Sequence, residues 1–225
     1  YSKGPEARFL SHLEIVRAIY RACRRAGLRL DHSQGYHPHP KMSFSQALPV
    51  GVESVEEQMD ITLRSFLEQE ELKCRLNAQL PPGLAVKWVT KLPPTSAPLA
   101  QAPGKVKYSV YLCDDIPAFE GEETHRRRIS EYLRRESIIV KEEKKGKLKE
   151  REIRPLIENI SLERLEADGC LLEVVINQGG GGSLSPWTLL KDLYGLSDDV
   201  VRGLRVIKTD AQFAEAGEYA LRNRD

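Results

Sequence analysis

Ser33 to Phe44 reads SQGYHPHPKMSF and brings Gln34, Tyr36, His37, His39 and Lys41 into one short span. His37 and His39 each precede a proline, which pushes a residue toward extended geometry. In an extended chain, positions two apart point the same way. The reading is a straight rack that holds both imidazoles, and Lys41 on the same parity, on one side. Gln34-Gly35 supplies a turn before it, where glycine takes positive φ, and Tyr36 offers a ring for stacking.

Three chemistries fit this rack, besides a plain loop. A nucleic-acid site would stack bases on Tyr36 and take hydrogen bonds from the histidines. Acid–base catalysis would pair His39 with His37 or His12, because imidazoles titrate near neutrality. A metal site built on His-x-His needs a third ligand, for which His12 is the nearby histidine. No metal and no cofactor are assigned.

Arginines gather upstream. Arg17, Arg21 and Arg24 follow i, i+4, i+7 spacing and so share one helix face, with Arg25 beside them. Residues 1–50 hold eight Lys and Arg, including Arg8, against three Asp and Glu. The whole chain is only +1, so the excess is local. Arginine's planar fork suits phosphate better than lysine does. A solvated helix face is the plainer alternative.

A second candidate is GGGGSLSPW, Gly179 to Trp187. It places Gly180, Gly181 and Ser183 ahead of a helix capped by Ser185, with Pro186 in its first turn. Free amides there attract phosphate, though the lysine of a Walker motif is missing. Arg154, at the end of the charged ribbon EEKKGKLKERE, is a further candidate contact.

These residues need elements to hold them. Ser11 to Gly27 is a helix, capped by Ser11 with Glu14 three residues on and stopped by Gly27. Lys41–Leu48 and Glu57–Leu63 read as strands, with LPVGVES between them as a bend or bulge. Phe66–Leu80 reads as a helix ended by Pro81, Pro82 and Gly83, and Leu84–Val89 as a strand. The order is β-α-β-β-α-β, the ferredoxin-like split unit.

Residues 92–104, rich in Pro and Ala, read as a linker. The pattern then restarts, with a strand at Lys107–Leu112 and a helix at Thr124–Arg135. A hairpin turning near Gly146 is inserted. A strand at Leu171–Ile176, a helix at Pro186–Tyr194 and a strand at Leu204–Ile207 complete it. The fold class is therefore α+β, two tandem ferredoxin-like domains at 1–91 and 105–225, the second with an inserted β-hairpin. The chain's 225 residues, 40% hydrophobic and 30% charged, suit two thin cores better than one thick one.

Cys23, Cys74, Cys113 and Cys170 form no CxxC pair, which points away from zinc and disulfides toward a reducing cytoplasm. No apolar run reaches the roughly 18 residues of a membrane span, and no signal peptide is visible. The opening at Tyr1 suggests that a few residues of a first strand precede it.

RFLSHLEIVRAIYRACRRAGL followed by SQGYHPHPKMSFSQALPVGVES resembles the radical-SAM-linked domain of unknown function, DUF2344. GKLKEREIRPLI and LSPWTLLKDLYGL resemble its second half more loosely. Tyr36 stands where the family has Phe and His37 where it has Asn, so His39 is the better-supported histidine. The resemblance implies a companion to a radical SAM protein, since this chain lacks the CxxxCxxC of the cluster itself. The role it suggests is presenting tRNA or rRNA to that enzyme. A protein-interaction scaffold and an RNA-processing enzyme are the alternatives. At the level of fold, the tandem arrangement is also similar to Cas6-type RNA endonucleases and TruA-type RNA proteins.

Overall fold

A computed structural model describes residues 1–93, 99, 104–113, 121–144, 147–166, 169–178 and 183–213. The fold is mixed α+β. The chain divides into two compact units, the first taking in Tyr1–Ala102 and the second Pro103–Ala214.

In the first unit, strand β1 (Ser2–Lys3) leads through a 3-10 turn, Pro5–Ala7, into helix α1 (His12–Arg25). The capping box that starts α1 is complete. Glu14 N–H donates to Ser11 Oγ at 3.4 Å, and Ser11 N–H donates to Glu14 Oε2 at 2.8 Å. Such a cap contributes about 1 kcal/mol. At the other end, Gly27 N–H donates to the Arg24 carbonyl and Leu28 N–H to the Cys23 carbonyl, the paired closure of a Schellman motif. Ile15, Ile19, Ala22 and Cys23 form the buried stripe and join Leu28, Leu30, Leu76, Leu84 and Val86 in one core.

The strands that follow differ from the expected pair. Strand β2 (Met42–Phe44) pairs with β4 (Met59–Ile61) in a ladder of their own. The segment read as a bend instead holds strand β3 (Val52–Ser54), buried throughout. It pairs with β1, whose other edge pairs with β5 (Leu84–Ala85), both antiparallel. The element order is thus β-α-β-β-β-α-β, and the strands expected to fill one sheet are split between two ladders. Helix α2 (Gln69–Asn77) is shorter than its expected range, and Arg75 Nε and Nη2 donate to the Ala26 carbonyl, bonding it to the end of α1.

The second unit is built on β6 (Gly104–Cys113), β9 (Ile157–Glu166), β10 (Gly169–Gln178) and β11 (Arg205–Phe213). They lie in the order β11-β6-β10-β9, antiparallel at each junction. Val106, Tyr108, Val110 and Leu112 on β6, and Cys170, Leu172, Val174 and Ile176 on β10, alternate onto the buried face. Helices α3 (Glu122–Leu133) and α4 (Pro186–Tyr194) bury Ile129, Tyr132, Leu189 and Leu190. Tyr132 Oη donates to Asp192 Oδ2 at 2.8 Å and joins the two helices. Strands β7 (Ile139–Lys144) and β8 (Lys147–Glu152) form the expected hairpin, and a short helix α5 (Asp198–Gly203) precedes β11. No helix among the described residues is long and apolar enough to cross a membrane.

Candidate nucleic-acid interface

Arg17, Arg21 and Arg24 are exposed on the side of α1 away from its buried stripe. Among the described residues, the side chains of Arg17 and Arg21 make no hydrogen bond or ion pair. Arg24 lies 6.0 Å from the Tyr20 ring. The acid on this helix, Glu14, is committed to the cap: its bonds from Ser11, and more weakly the Arg17 charge, hold its carboxyl below the usual carboxylate range. Three guanidinium groups thus stand in solvent with no carboxylate within salt-bridge distance among the described residues, the nearest coupling being that of Arg17 to Glu14.

The other candidate arginines, Arg8, Arg25 and Arg154, have partners. Arg8 Nη1 lies 3.9 Å from Oε1 of the buried Glu53, and its guanidinium covers the Phe9 ring at 4.6 Å. Arg25 donates to both the side chain and the carbonyl of Gln79. In the second unit, Arg154 donates to the carbonyls of Leu133, Arg135 and Ile157 at 2.8–3.2 Å. It satisfies the carbonyls that α3 leaves open at its C-terminus. Arg8 is thus paired with a carboxylate, while Arg25 and Arg154 bond neutral groups of the scaffold.

The His-Pro segment forms a closed loop with an exposed tip. Ser33 N–H donates to the His39 carbonyl at 2.8 Å, and His39 N–H donates to Ser33 Oγ at 3.0 Å. Below this neck, Asp31 N–H donates to the Thr62 carbonyl, and Thr62 N–H to the Lys41 carbonyl, which seats the loop at the end of β4. The loop reverses ahead of the Pro38-His39-Pro40 segment. The chain bends from Gln34 through His37, with Gly35 at φ 135°. The reason is topological: a neck that pairs Ser33 with His39 leaves only the residues between them to reverse direction.

Tyr36 is 95% exposed at the tip, and His37 packs edge-on against it with centroids 5.0 Å apart. Gln34 and His39 are exposed as well. Lys41 is exposed but bound, its Nζ 2.7 Å from Asp31 Oδ2. His12 lies apart from this loop in sequence, with its ring edge-on to Phe44 at 5.8 Å.

Asp31 and Arg64 were not anticipated. Arg64 Nε lies 3.6 Å from Asp31 Oδ1, so Asp31 is shared between two cations. The available signal was that Asp31 is the only acid between Glu14 and Glu53. Among the described residues, no group of three or more His, Cys, Asp and Glu is placed to hold a metal ion.

Of the glycine segment, Gly180 and Gly181 lie outside the described residues, while Ser183 is described and exposed. Ser185 is the N-cap of α4 as expected, its Oγ accepting from Trp187 N–H at 3.3 Å, with Pro186 in the first turn.

Two solved structures are similar to this chain over part of their length. One is a Cbf5-Nop10-Gar1 complex, at 12% identity and a TM-score of 0.47, with 93% of this chain and 47% of that one covered. The other is the archaeal box H/ACA sRNP Nop10-Cbf5 complex, at 12% identity and a TM-score of 0.42, with 94% and 46% covered. The chain thus spans about half the length of the chains it matches. No curated protein matches it. The model of one family matches residues 1–186, and the chain belongs to that family, described as an uncharacterized protein conserved in bacteria, DUF2344.

Proposed function

We propose that the first unit binds RNA, with the α1 arginines gripping phosphates and the Tyr36–His37 tip adding a stacking contact. The observation that carries this reading is the set Arg17, Arg21 and Arg24, exposed with no ion pair to a carboxylate among the described residues. Three arginines on one helix face, none in a salt bridge among the described residues, leave positive charge in solvent. This suits a polyanion, whose bound counterions are released when arginine replaces them. A lone 95% exposed tyrosine on a closed loop fits a base stacked on a ring.

In this reading the protein is an accessory that presents tRNA or rRNA to a radical SAM modification enzyme. The RNA is argued from the arginine face, and the radical SAM partner from the family resemblance alone. The two units are read as ferredoxin-like domains in tandem, about 1–91 and 105–225, joined by 92–104. The order β11-β6-β10-β9 supports this for the second, and the split ladders make the first a modified version.

Mobility shift with tRNA and rRNA fragments tests the proposal. Wild type is expected to shift the RNA, and Arg17→Glu/Arg21→Glu/Arg24→Glu to weaken binding at least tenfold. An unchanged affinity in the triple variant sinks it. Co-purification of a radical SAM protein that survives nuclease treatment would place direct docking ahead of RNA bridging.

A further inference from the structure

Two exposed rings of the first unit take no part in the arginine face. Phe66, just ahead of α2, is 72% exposed, and Trp88, just after β5, is 52% exposed. Leaving such rings in water forgoes part of the gain that their burial would bring.

Their placement follows from two fixed points on α2. Asn77, its last residue, holds Val86 from both sides: Asn77 Nδ2 donates to the Val86 carbonyl at 2.9 Å, and Val86 N–H donates to Asn77 Oδ1 at 2.7 Å. At the opposite end, Lys91 Nζ lies 5.5 Å from the Phe66 ring. The chain from Val86 to Lys91 therefore runs back along the helix. Five extended residues cover about 16 Å, and a helix of nine residues about 13 Å, so the lengths agree. Val86 and Val89 pack on the core. Lys87, Trp88, Thr90 and Lys91 are exposed.

The result is a strip with Phe66 and Lys91 at one end and the exposed Lys87 and Trp88 along its length. The acids of α2 are largely spoken for: Glu70 pairs with Lys73 and Glu71 with Arg75. Glu68 is the exposed acid nearest to Phe66 in sequence. Flat rings accept any base, because every base has a π-face, and lysine ammoniums act as point charges for phosphates. A duplex keeps its bases stacked inside and offers none to such rings.

We propose that the Phe66–Trp88 strip, flanked by Lys87 and Lys91, binds single-stranded RNA. This deepens the RNA reading above and rests on it. It assigns the arginine face to phosphates of any RNA and the strip to unpaired nucleotides.

The test titrates oligouridylate, and a duplex RNA of equal length, against the full chain carrying Trp187→Phe, so that Trp88 is the sole indole. Oligouridylate is expected to quench Trp88 emission and the duplex is not. Trp88→Ala and Phe66→Ala are each expected to weaken oligouridylate binding about 5- to 160-fold, with Trp88→Phe restoring most of it and duplex affinity unchanged. Lys87→Glu/Lys91→Glu, on exposed positions, is expected to weaken oligouridylate binding as well. Oligouridylate binding that leaves Trp88 emission and the Trp88→Ala affinity unchanged overturns the strip, while the arginine-face reading survives if its triple variant still fails to hold RNA. Failure of wild type to bind any RNA removes both.

Discussion

Lys41 Nζ lies 2.7 Å from Asp31 Oδ2, so the cation at the foot of the His-Pro loop is neutralised by the acid at its opposite foot. The hydrogen bond from Lys41 is the largest cause holding the Asp31 carboxyl below its usual value, followed by the His32 amide and the nearby charges. A carboxyl lowered in the folded state supports it above the ordinary carboxylate pKa and loses that support as pH falls through the folded value. The loop neck should therefore stay closed from pH 7 down to about 4 and open at lower pH. Amide exchange at Ser33, His39 and Lys41, with Asp31→Asn as comparison, reads this. Equal exchange in both proteins at pH 6 would show that the pair does not hold the neck.

Arg154 fills carbonyls of three residues at once. Arg154→Ala should cost about 2–3 kcal/mol in urea unfolding, as a charged donor is removed and α3 ends uncapped. Arg154→Lys should not restore it, because an ammonium lacks the planar fork. RNA affinity per folded molecule should not move in either variant.

Salt dependence separates the arginine face from a general charge effect. On single-stranded RNA, each phosphate that a side chain no longer neutralises takes about 0.7 from the slope of log affinity against log salt. Glutamate at Arg17, Arg21 and Arg24 should flatten that slope by about 2, whereas glutamate at Lys41 should change it little. Stability should stay within about 0.5 kcal/mol in the first variant, as none of its three residues is buried.

Lys3 is 1% exposed, and its Nζ donates to the Leu10 carbonyl at 3.1 Å. Burial lowers its pKa to about 8, with Glu57 pulling weakly the other way. The unfolded chain then binds more protons between about pH 8 and 10.4, so stability rises with pH across that window. Relative to Lys3→Met, wild type should gain on the order of 1–2 kcal/mol between pH 7.5 and 10. Denaturant titrations of both proteins at the two pH values measure it.

Gly83 takes φ +82°, and a Cβ there would meet Ala7 N at 2.6 Å and Ala7 Cβ at 2.9 Å. Its carbonyl also accepts from Gly4 N–H at 2.7 Å, next to the β1–β5 ladder. Gly83→Ala combines a strained φ with a backbone clash and should cost about 2–4 kcal/mol, read as a drop in the urea midpoint.

The elements that carry their own local signals were legible. Ser11 and Glu14 announced α1, and Ser185-Pro186 announced α4. Strand β3 was not, because Val52–Ser54 is short and places Glu53 in a buried ladder, where its polarity reads as loop. Strand β9 was hidden by its bulges. A register shift at Val175/Ile176 lets Ile157 and Ile160, three apart, both turn inward and breaks the alternation. In the candidate site, the spacing of Arg17, Arg21 and Arg24 fixed their shared face, but not which arginines would stay unpaired. Arg8, Arg25 and Arg154 found partners 45, 54 and 21 residues away, a separation no local pattern reports. The pairing of Ser33 with His39 closes the loop across six residues, a contact that the proline spacing alone does not report.

Because α1 is clamped at Ser11 and released at Gly27, its length is fixed as firmly as its composition. One residue inserted between Glu14 and Arg17 would rotate everything downstream by about 100° about the axis. The guanidinium groups would swing toward the core and the apolar stripe toward water, with no side chain replaced.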